Sequence, residues 1–334
     1  AHQAVIDPAR HMVTVPAGVS IDELLRVIVP RGYFVPVTPG TRFVTIGGAI
    51  ASDIHGKNHH GEGSFGNHVQ SISMLLADGS QVLIGPDEHP ELFWATVGGM
   101  GLTGVILDAT IRLIPIETSM MSVDTTRIPD LDSLLTALAE GDDDYRYSVA
   151  WIDPQAKGRH LGRSVLGRGE HASLDQLDPR QAIEPLAYGA RQLVSMPPLV
   201  PPMGVINHAT VAAFNEVWYR KAPRRRVGEL QSIATFFHPL DMVGSWNRVY
   251  GTKGMLQYQV VVPFGAEEAM RTVIERFAAS GTASFLAVLK RFGPGSLAPL
   301  SFPAPGWTLT LDVPAGTGGL GNLLHSLDRL VLDA

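Results

Sequence analysis

Apolar and polar residues alternate in short runs over the first third of the chain, a pattern typical of β-strands. The run at residues 12–19 predicts a strand, and Ser20 with Glu23 three positions later forms the capping box that opens a helix. Pro90 fits the first turn of another helix. The other strands predicted here lie at residues 34–37, 69–76, 81–84 and 105–115.

After about residue 118 the predicted elements become longer. Strands are predicted at residues 145–153, 255–263, 284–292 and 307–314, with helices at about 265–280 and 318–332. Long strands with helices between them favour an α+β fold with a largely antiparallel sheet. We therefore expect two domains, at residues 1–118 and 119–334.

Composition narrows the class of protein. Of 334 residues, 45% are apolar and 17% are charged, which describes a globular protein. The formal net charge of −6 argues against broad binding of nucleic acid. No apolar run approaches the roughly 20 residues of a membrane span. The chain has no cysteine, which excludes disulfides and thiolate metal sites.

Glycine and other small residues are concentrated at positions 39–56 and 98–104. Glycine lets a backbone approach a ligand closely and direct its N–H groups at it. Two such loops are suited to cradle a pyrophosphate, and ordinary turns are the alternative for either loop alone.

A histidine-rich segment follows the first of these loops. His55 and His59 have the spacing of a helical metal pair, but Gly56 and Asn58 argue against a helix, and no nearby carboxylate has ligand spacing. We expect a loop that brings His55 and Lys57 to a cofactor or substrate, and no metal. A polar loop packed by histidines is the alternative.

Residues 316–321 match the GxGxxG pattern of dinucleotide-binding proteins. That fingerprint also requires an acidic residue about 20 positions further on, and the chain ends before that position. We interpret the match as a turn leading into a helix.

Strand periodicity predicts one polar and one apolar face for the second sheet. Alternate residues of a strand face the same side, so Gln257 and Gln259 share a face. The same rule groups Lys290 with Phe292, Trp151 with Tyr147 and Asp153, and Thr308 with Thr310 and Asp312. Glutamines and threonines beside one lysine favour a sugar-binding lining over a solvated face.

A basic cluster occupies residues 218–226 and follows the proline-rich apolar stretch 193–206. Arginine is suited to phosphate, and the pair of segments could hold a phosphate with its apolar tail or rest on an anionic membrane. A basic surface turn beside a core loop is the alternative.

Three segments in order resemble the vanillyl-alcohol-oxidase type of FAD-binding domain. They are VTVPAGVSIDELLRVIVPRGYFVPVTPG, VTIGGAIASDIHG and FWATVGGMGLTGVIL. Within that family, the stretches FFHPLDMVGSWNRVYG, MLQYQ and SFLAVLKRFGPGSLAPLSFPAPGW resemble the flavoproteins that oxidise a ribose linked to polyprenyl phosphate. The likeness extends over essentially the whole chain.

The resemblance implies a fold, a cofactor and a set of site residues. The fold would be an incomplete FAD-binding domain followed by the α+β substrate domain. FAD would lie along Pro39, Gly40, Thr41, Thr45, Ile46, Gly47, Gly48, Ser52, Asp53, Ile54, His55 and Ile106. His55, Lys57, Gln257 and Lys290 would be catalytic. Substrate would also contact Trp151, Phe237, Arg248, Gln259, Phe292, Thr308, Thr310 and Asp312.

The implied activity is oxidation of the ribose C2 hydroxyl to a ketone by FAD. A separate NADH-dependent reductase of the short-chain dehydrogenase type would then return the inverted alcohol. The family's role implies the cell envelope, at the periplasmic face with peripheral membrane contact, and the cytoplasm is the alternative. A sugar-lactone or alditol oxidase, and a non-catalytic remnant, remain open as alternatives.

Several positions depart from the resemblance. We expect the chain to be cut short at both ends, without the N-terminal phosphate loop and without a C-terminal segment whose lysine is the expected base. Thr310 replaces a cysteine that nitro-aromatic inhibitors attack in mycobacterial relatives, so we expect insensitivity to that chemistry. Phe237 and Thr308 replace a usual tyrosine and asparagine.

Overall fold

A computed structural model describes residues 4–192, 194–197, 201 and 204–334. Its strands are β1 (Val5–Asp7), β2 (Met12–Pro16), β3 (Tyr33–Phe34), β4 (Val69–Leu75), β5 (Gln81–Ile84), β6 (Val105–Arg112), β7 (Ile114–Pro115), β8 (Met120–Ile128), β9 (Tyr147–Ile152), β10 (Ser164–His171), β11 (Val194–Ser195), β12 (Arg225–Ser232), β13 (Val243–Gly244), β14 (Met255–Val262), β15 (Ala287–Phe292) and β16 (Gly306–Pro314).

The α-helices of the described residues lie between these strands. They are α1 (Ile21–Ile28), α2 (Ile46–Ala51), α3 (His59–Glu62), α4 (Pro90–Thr96), α5 (Leu131–Gly141), α6 (His208–Lys221), α7 (Ile233–Phe237), α8 (Glu267–Ser280) and α9 (Leu320–Leu332). None of them is long and apolar enough to cross a membrane.

Two large antiparallel sheets form the framework. The first has five strands in the order β1-β2-β6-β4-β5, and the second has seven in the order β12-β8-β10-β9-β15-β16-β14. The first draws its strands from residues 5–112 and the second from residues 120–314. The predicted largely antiparallel sheet and α+β class are confirmed. The boundary at residue 118 falls between the sheets, and the roles assigned to the two parts stay predictions.

Helix α1 begins as the capping box predicts. The Ser20 hydroxyl accepts from the Glu23 amide, and the Glu23 carboxylate accepts from the Ser20 amide at 2.9 Å. Its apolar face buries Leu24, Leu25 and Ile28 in the core of the first sheet. Each buried leucine of this kind contributes about 1.5–3 kcal/mol.

The apolar run at residues 44–53 contains the short helix α2, which was not among the predicted elements. Thr45 caps it by accepting from the Gly48 amide, and Ile46, Ala49 and Ile50 are buried. Gly47 lies so close to the preceding segment that a Cβ there would be 3.0 Å from Ala17 Cβ. Close packing therefore selects a helix in a glycine-rich sequence with weak helical propensity.

The second sheet has the two faces that strand periodicity predicts. Tyr258, Val260, Leu309 and Leu311 pack with α8 and α9 in one apolar cluster. On the opposite face, the register places Gln257 beside Asp312, Gln259 beside Thr310, and Lys290 beside Thr308. The polar residues of three neighbouring strands are thereby gathered at one place.

Some predicted elements differ from those observed. The strand expected at residues 34–37 is confined to Tyr33–Phe34, and the strand at 105–115 is interrupted at Leu113, whose side chain is buried. β8, α5, β10, α6 and β12 were not predicted. The GxGxxG match precedes α9, and β16 pairs antiparallel with both neighbours, as expected for a turn leading into a helix and not for a Rossmann unit.

Candidate functional site

A cavity of about 600 Å³ lies between the first part of the chain and the polar face of the seven-stranded sheet. The loop after β3 and the end of α2 form one wall, and β14, β15 and β16 form the other. Its lining is Thr38, Pro39, Gly40, Ser52, Ile54, His55, Gly56, Lys57, Met100, Val149, Phe237, Pro239, Leu240, Gln257, Gln259, Leu286, Val288, Lys290, Phe302 and Thr310. The predicted sugar-binding face thus forms one wall of this cavity, with Lys290 buried, Gln259 half-buried and Gln257 exposed.

His55 joins the two walls. Its Nδ1 lies 3.1 Å from Lys290 Nζ, and its Nε2 lies 3.3 Å from the Gln259 side-chain amide. Burial, reinforced by the charge of Lys290, keeps the pKa of His55 well below its usual value. The imidazole is therefore neutral. Both neighbours are nitrogen donors, Lys290 Nζ at Nδ1 and the Gln259 amide nitrogen at Nε2, and a neutral imidazole has one acceptor nitrogen, so it can accept from only one of them at a time.

Lys290 is a buried cation without a carboxylate partner in the described part of the chain. Besides His55, its Nζ donates to the Gly56 carbonyl at 3.4 Å. Burial, and then the charge of Lys57, lower its pKa from 10.5 to about 7. The side chain accordingly holds its proton only loosely near neutral pH.

Lys57 is the second buried cation on the cavity wall. Its Nζ donates to the Phe236 carbonyl at 2.7 Å and lies 4.9 Å from the centre of the Phe236 ring. Burial lowers its pKa to about 8. The two lysines give the cavity a positive potential that suits an anionic ligand.

Asp312 brings an acid to the same polar face. Its carboxylate accepts from the Gln257 side-chain amide at 2.8 Å and is buried. Burial raises its pKa to about 6, although the hydrogen bond from Gln257 works in the opposite direction. Thr308, with its hydroxyl 2.8 Å from Gln259, orients the second glutamine.

A buried network ties the loop after β3 to the segment that follows α7. The Arg42 amide donates to Asp241 at 2.8 Å, and its guanidinium pairs with Asp241 at 3.5 Å and with Asp22 at 2.7 Å. Thr38 Oγ1 lies 2.9 Å from His238 Nε2. The pairs Arg42–Asp241 and Thr38–His238 span about 200 positions, and no local pattern signals them.

Asp53 has a structural role that accounts for its carboxylate. One oxygen accepts from the Gly66 amide at 2.8 Å, and the other accepts from the Ser296 hydroxyl at 2.7 Å and the Ser301 hydroxyl at 2.5 Å. Asp53 thereby anchors the loop at residues 293–305, which carries Phe302 to the cavity. The cofactor contact that the resemblance implied for Asp53 would have to use its backbone.

The two glycine-bearing loops lie together, as expected, but the amides of three of their glycines donate hydrogen bonds within the protein. The amides of Gly47, Gly48 and Gly98 donate to the Ala17 carbonyl, the Thr45 hydroxyl and the Ile50 carbonyl. Those three amides have protein partners, and the contact of Gly47 and Gly48 with the cofactor stays a prediction. In the described residues, the amides of Gly40 and Thr41 donate to no protein group.

The predicted site residues fall into three groups. Eleven line the cavity: Pro39, Gly40, Ser52, Ile54, His55, Lys57, Phe237, Gln257, Gln259, Lys290 and Thr310. Others lie directly behind or beside them: Thr41, Thr45, Gly47, Gly48, Asp53, Phe292, Thr308 and Asp312. Those set apart from the lining are Ile46, Ile106, Trp151 and Arg248.

The residues set apart have identifiable surroundings. Ile46 is fully buried in the core of the first sheet, and Ile106 of β6 pairs with Met74 of β4. The Trp151 indole donates to the Phe285 carbonyl at 3.0 Å, and Arg248 is exposed near Met196. Their ligand contacts stay predictions. Among the described residues, no group of histidines and acids could hold a metal ion.

Comparison with known proteins places this geometry in a family. The FAD binding domain family matches residues 2–85. The decaprenylphosphoryl-β-D-ribose oxidase of Mycolicibacterium smegmatis is 47% identical over 332 residues, which cover 98% of this chain and 71% of that protein. The resemblance found in the sequence is confirmed.

Solved structures show the same fold at low sequence identity. The xylooligosaccharide oxidase of Myceliophthora thermophila C1 has a TM-score of 0.66 at 15% identity, covering 99% of this chain and 68% of that one. The BBE-like 1 protein of Physcomitrella patens has a TM-score of 0.64 at 13% identity, with 99% and 69% covered.

The surface beside the cavity fits the cofactor of this family. Along α2, the exposed residues Thr45, Gly48 and Ser52 form a narrow strip of small side chains that leads to Gly40 and the cavity. A Cβ at Gly48 would stand 3.1 Å from the Thr45 hydroxyl and would fill this strip. FAD is the cofactor, and the protein is an oxidoreductase.

The arrangement of a small-residue strip, a buried polar cavity and an antiparallel sheet is that of one group of flavoproteins. The chain belongs to the vanillyl-alcohol-oxidase-type family of FAD-linked oxidases, in the group that includes decaprenylphosphoryl-β-D-ribose oxidase.

Proposed function

We propose that the protein oxidises the ribose C2 hydroxyl of decaprenylphosphoryl-β-D-ribose to the 2-keto sugar. This would be the first half of an epimerisation that yields the arabinose donor for cell-wall arabinan. The observation that carries the proposal is the pair of cations, Lys57 and Lys290, on a cavity lining that holds no other charged side chain among the described residues. The identity to the M. smegmatis oxidase supports the same substrate class.

The lining matches the three chemical parts of such a substrate. The two lysines offer positive charge to a phosphate. Gln257 and Gln259 offer amide donors and acceptors to sugar hydroxyls. The apolar part of the lining, against which a prenyl unit can pack, includes Val149, Phe237, Leu286 and Val288.

The chain's own residues would orient the sugar rather than perform the redox step. Bound FAD supplies the hydride acceptor for oxidation of an alcohol carbon. Lys290, held by His55 and Gly56, would fix a hydroxyl by hydrogen bonding at Nζ. Gln257, held by Asp312, would fix a second hydroxyl, and both contacts limit rotation of the ring.

The product would need a second enzyme. A 2-keto sugar returns to an alcohol only by reduction, so an NADH-dependent reductase of the short-chain dehydrogenase type is the partner we propose. We also propose a location at the periplasmic face of the cell envelope with peripheral membrane contact, where a polyprenyl-phosphate sugar would be met. The cytoplasmic face is the alternative.

Anaerobic bleaching of the flavin tests the proposal. Polyprenylphosphoryl ribose added without oxygen to the FAD-loaded protein should remove the flavin absorption near 450 nm, and mass spectrometry should show a sugar two hydrogens lighter. Gln257→Ala should raise KM and slow bleaching. Bleaching by a sugar lactone or alditol in place of the ribose compound would contradict the substrate. A protein that never binds flavin would indicate a non-catalytic domain.

A further inference from the structure

Helix α6 presents an apolar stripe to solvent. Phe214, Val217 and Trp218 follow the i, i+3, i+4 spacing of one helical face, and they are 42%, 66% and 47% exposed. Phe214 and Trp218 stack on each other with ring centres 5.9 Å apart. Large apolar groups clustered on one face of a helix are typical of an interaction surface.

The inner face of α6 holds this stripe in one orientation. The Asn215 amide donates to Asp153 of the sheet at 2.8 Å, and the Tyr219 hydroxyl donates to the Ile128 carbonyl at 3.2 Å. Asn207 caps the start of the helix by accepting from the amides of Ala209 and Thr210. The stripe is therefore a fixed feature of the folded surface.

A cluster of cations follows the stripe in the sequence. Arg220 pairs with Glu216, and Arg226 pairs with Glu229. In the described part of the chain, the exposed cations Lys221, Arg224 and Arg225 form no ion pair. A positive cluster of this kind stands out on a chain with a formal net charge of −6.

The stripe is joined to the cavity by aromatic contacts. Phe214 lies 5.7 Å from Phe285, whose carbonyl accepts from the Trp151 indole, and Trp151 lies 6.5 Å from Trp218. Phe285 directly precedes Leu286, which lines the cavity. The exposed face of α6 and the cavity wall thus share one short segment of chain.

We propose that the outer face of α6 and the cations at residues 221–225 dock on an anionic lipid bilayer. Tryptophan and phenylalanine beside lysine and arginine are the residues that enter the interface of such a membrane. Docking there would bring the cavity to the lipid surface on the side of Phe285 and Leu286. That last step rests on the proposed function, whereas docking itself does not.

Cosedimentation of the protein with vesicles tests the docking surface. The protein should bind vesicles of phosphatidylcholine containing phosphatidylglycerol, bind pure phosphatidylcholine weakly, and dissociate as salt is raised. Val217→Asp should lower the binding constant at least about tenfold. The triple variant K221Q/R224Q/R225Q should do the same, because each cation contributes roughly fivefold.

Matched variants elsewhere serve as controls. Leu83→Asp places the same charge on an exposed apolar position of β5, and R10Q/K157Q/K253Q removes the same total charge from other surfaces. Both should bind the anionic vesicles as the parent does. Hydrogen exchange at residues 208–221 should slow when vesicles are added to the parent only.

Three results would overturn the docking surface. They are equal binding to both kinds of vesicle, undiminished binding of Val217→Asp, and self-association in sedimentation velocity that Val217→Asp abolishes. A short-chain, water-soluble prenylphosphoryl ribose separates this inference from the function. Val217→Asp should oxidise it as the parent does, and should lose activity only on the long-chain substrate in vesicles. Failure of the parent to oxidise either substrate would contradict the function instead.

Discussion

Lys290 Nζ lies 3.1 Å from His55 Nδ1, so a strand of the seven-stranded sheet is hydrogen-bonded to the loop that follows α2. The contact brings a cation against a neutral ring in a buried place, and Lys57 is the other cation that lines the cavity. Such an arrangement costs stability whenever the lysine is charged, because burial penalises the ammonium. The site therefore carries a measurable dependence on pH.

Lys290→Met should remove part of the pH dependence of stability. The pKa of Lys290 is about 7 in the fold and 10.5 when unperturbed, so above pH 7 the unfolded chain binds more protons than the folded one. The free energy of unfolding of the parent should therefore rise between pH 7 and 9, and fall as the pH drops through 7. The free energy of unfolding of the variant should rise less steeply, with a slope smaller by roughly 1 kcal/mol per pH unit.

Urea unfolding at a series of pH values measures this slope. Arg291→Met is the matched control, because it also replaces a cation of β15 by methionine, one position on, where the side chain pairs with Asp143 at the surface. Arg291→Met should change the free energy of unfolding by the same amount at every pH. Parallel curves for the parent and Lys290→Met would show that Lys290 is not the group responsible.

The Arg42–Asp241 pair should be strongly coupled. Both side chains are buried, so Arg42→Met leaves the Asp241 carboxylate without its cation and should cost about 3–5 kcal/mol. Asp241→Leu leaves Arg42 paired with Asp22 and should cost less. The double variant should cost much less than the sum of the two. A double-mutant cycle from urea unfolding measures the coupling, and additive losses would show that the two side chains do not interact in the fold.

The residues of the polar face could be predicted from the sequence because a strand places alternate residues on one side. Gln257, Gln259, Thr310 and Asp312 were grouped correctly by that rule alone, and the structure adds only their register. The period of two is local and holds whatever the strand pairs with. The family could also be predicted, because three ordered segments of the first part resemble it, and the expected function followed from that resemblance.

The contacts between distant segments could not be predicted in this way. Arg42 meets Asp241, and Asp53 meets Ser296 and Ser301, across roughly 200 positions or more, so no spacing rule relates them. Helix α2 was missed for a different reason. Its two glycines have weak helical propensity, and the helix is stabilised by packing on Ala17.

Gly47→Ala should destabilise the fold although alanine favours helices. A Cβ at this position would lie 3.0 Å from Ala17 Cβ and 3.3 Å from its carbonyl oxygen, so α2 would have to move. Overpacking of this size costs about 1–3 kcal/mol, against about 1 kcal/mol gained in propensity. Retention of FAD on desalting should fall with it.

Gly18→Ala is the matched comparison for that substitution. A Cβ there meets nothing within 4 Å, and its φ is not positive, so stability should stay the same or rise slightly. Thermal unfolding of the two variants beside the parent measures the difference. Equal melting temperatures for Gly47→Ala and the parent would show that a Cβ at residue 47 fits between α2 and Ala17 without strain.

Thr310→Cys should create a reactive thiol inside the cavity and nowhere else. The chain has no cysteine, so a thiol-specific reagent read by mass spectrometry reports on this one position. The parent should be inert, including toward nitro-aromatic inhibitors activated by the flavin, because a threonine hydroxyl cannot form the thiol adduct. The variant should be modified, and polyprenylphosphoryl ribose should slow the modification, since residue 310 lies on the wall with Gln259 and Lys290. Modification at an unchanged rate in saturating substrate would place the sugar elsewhere.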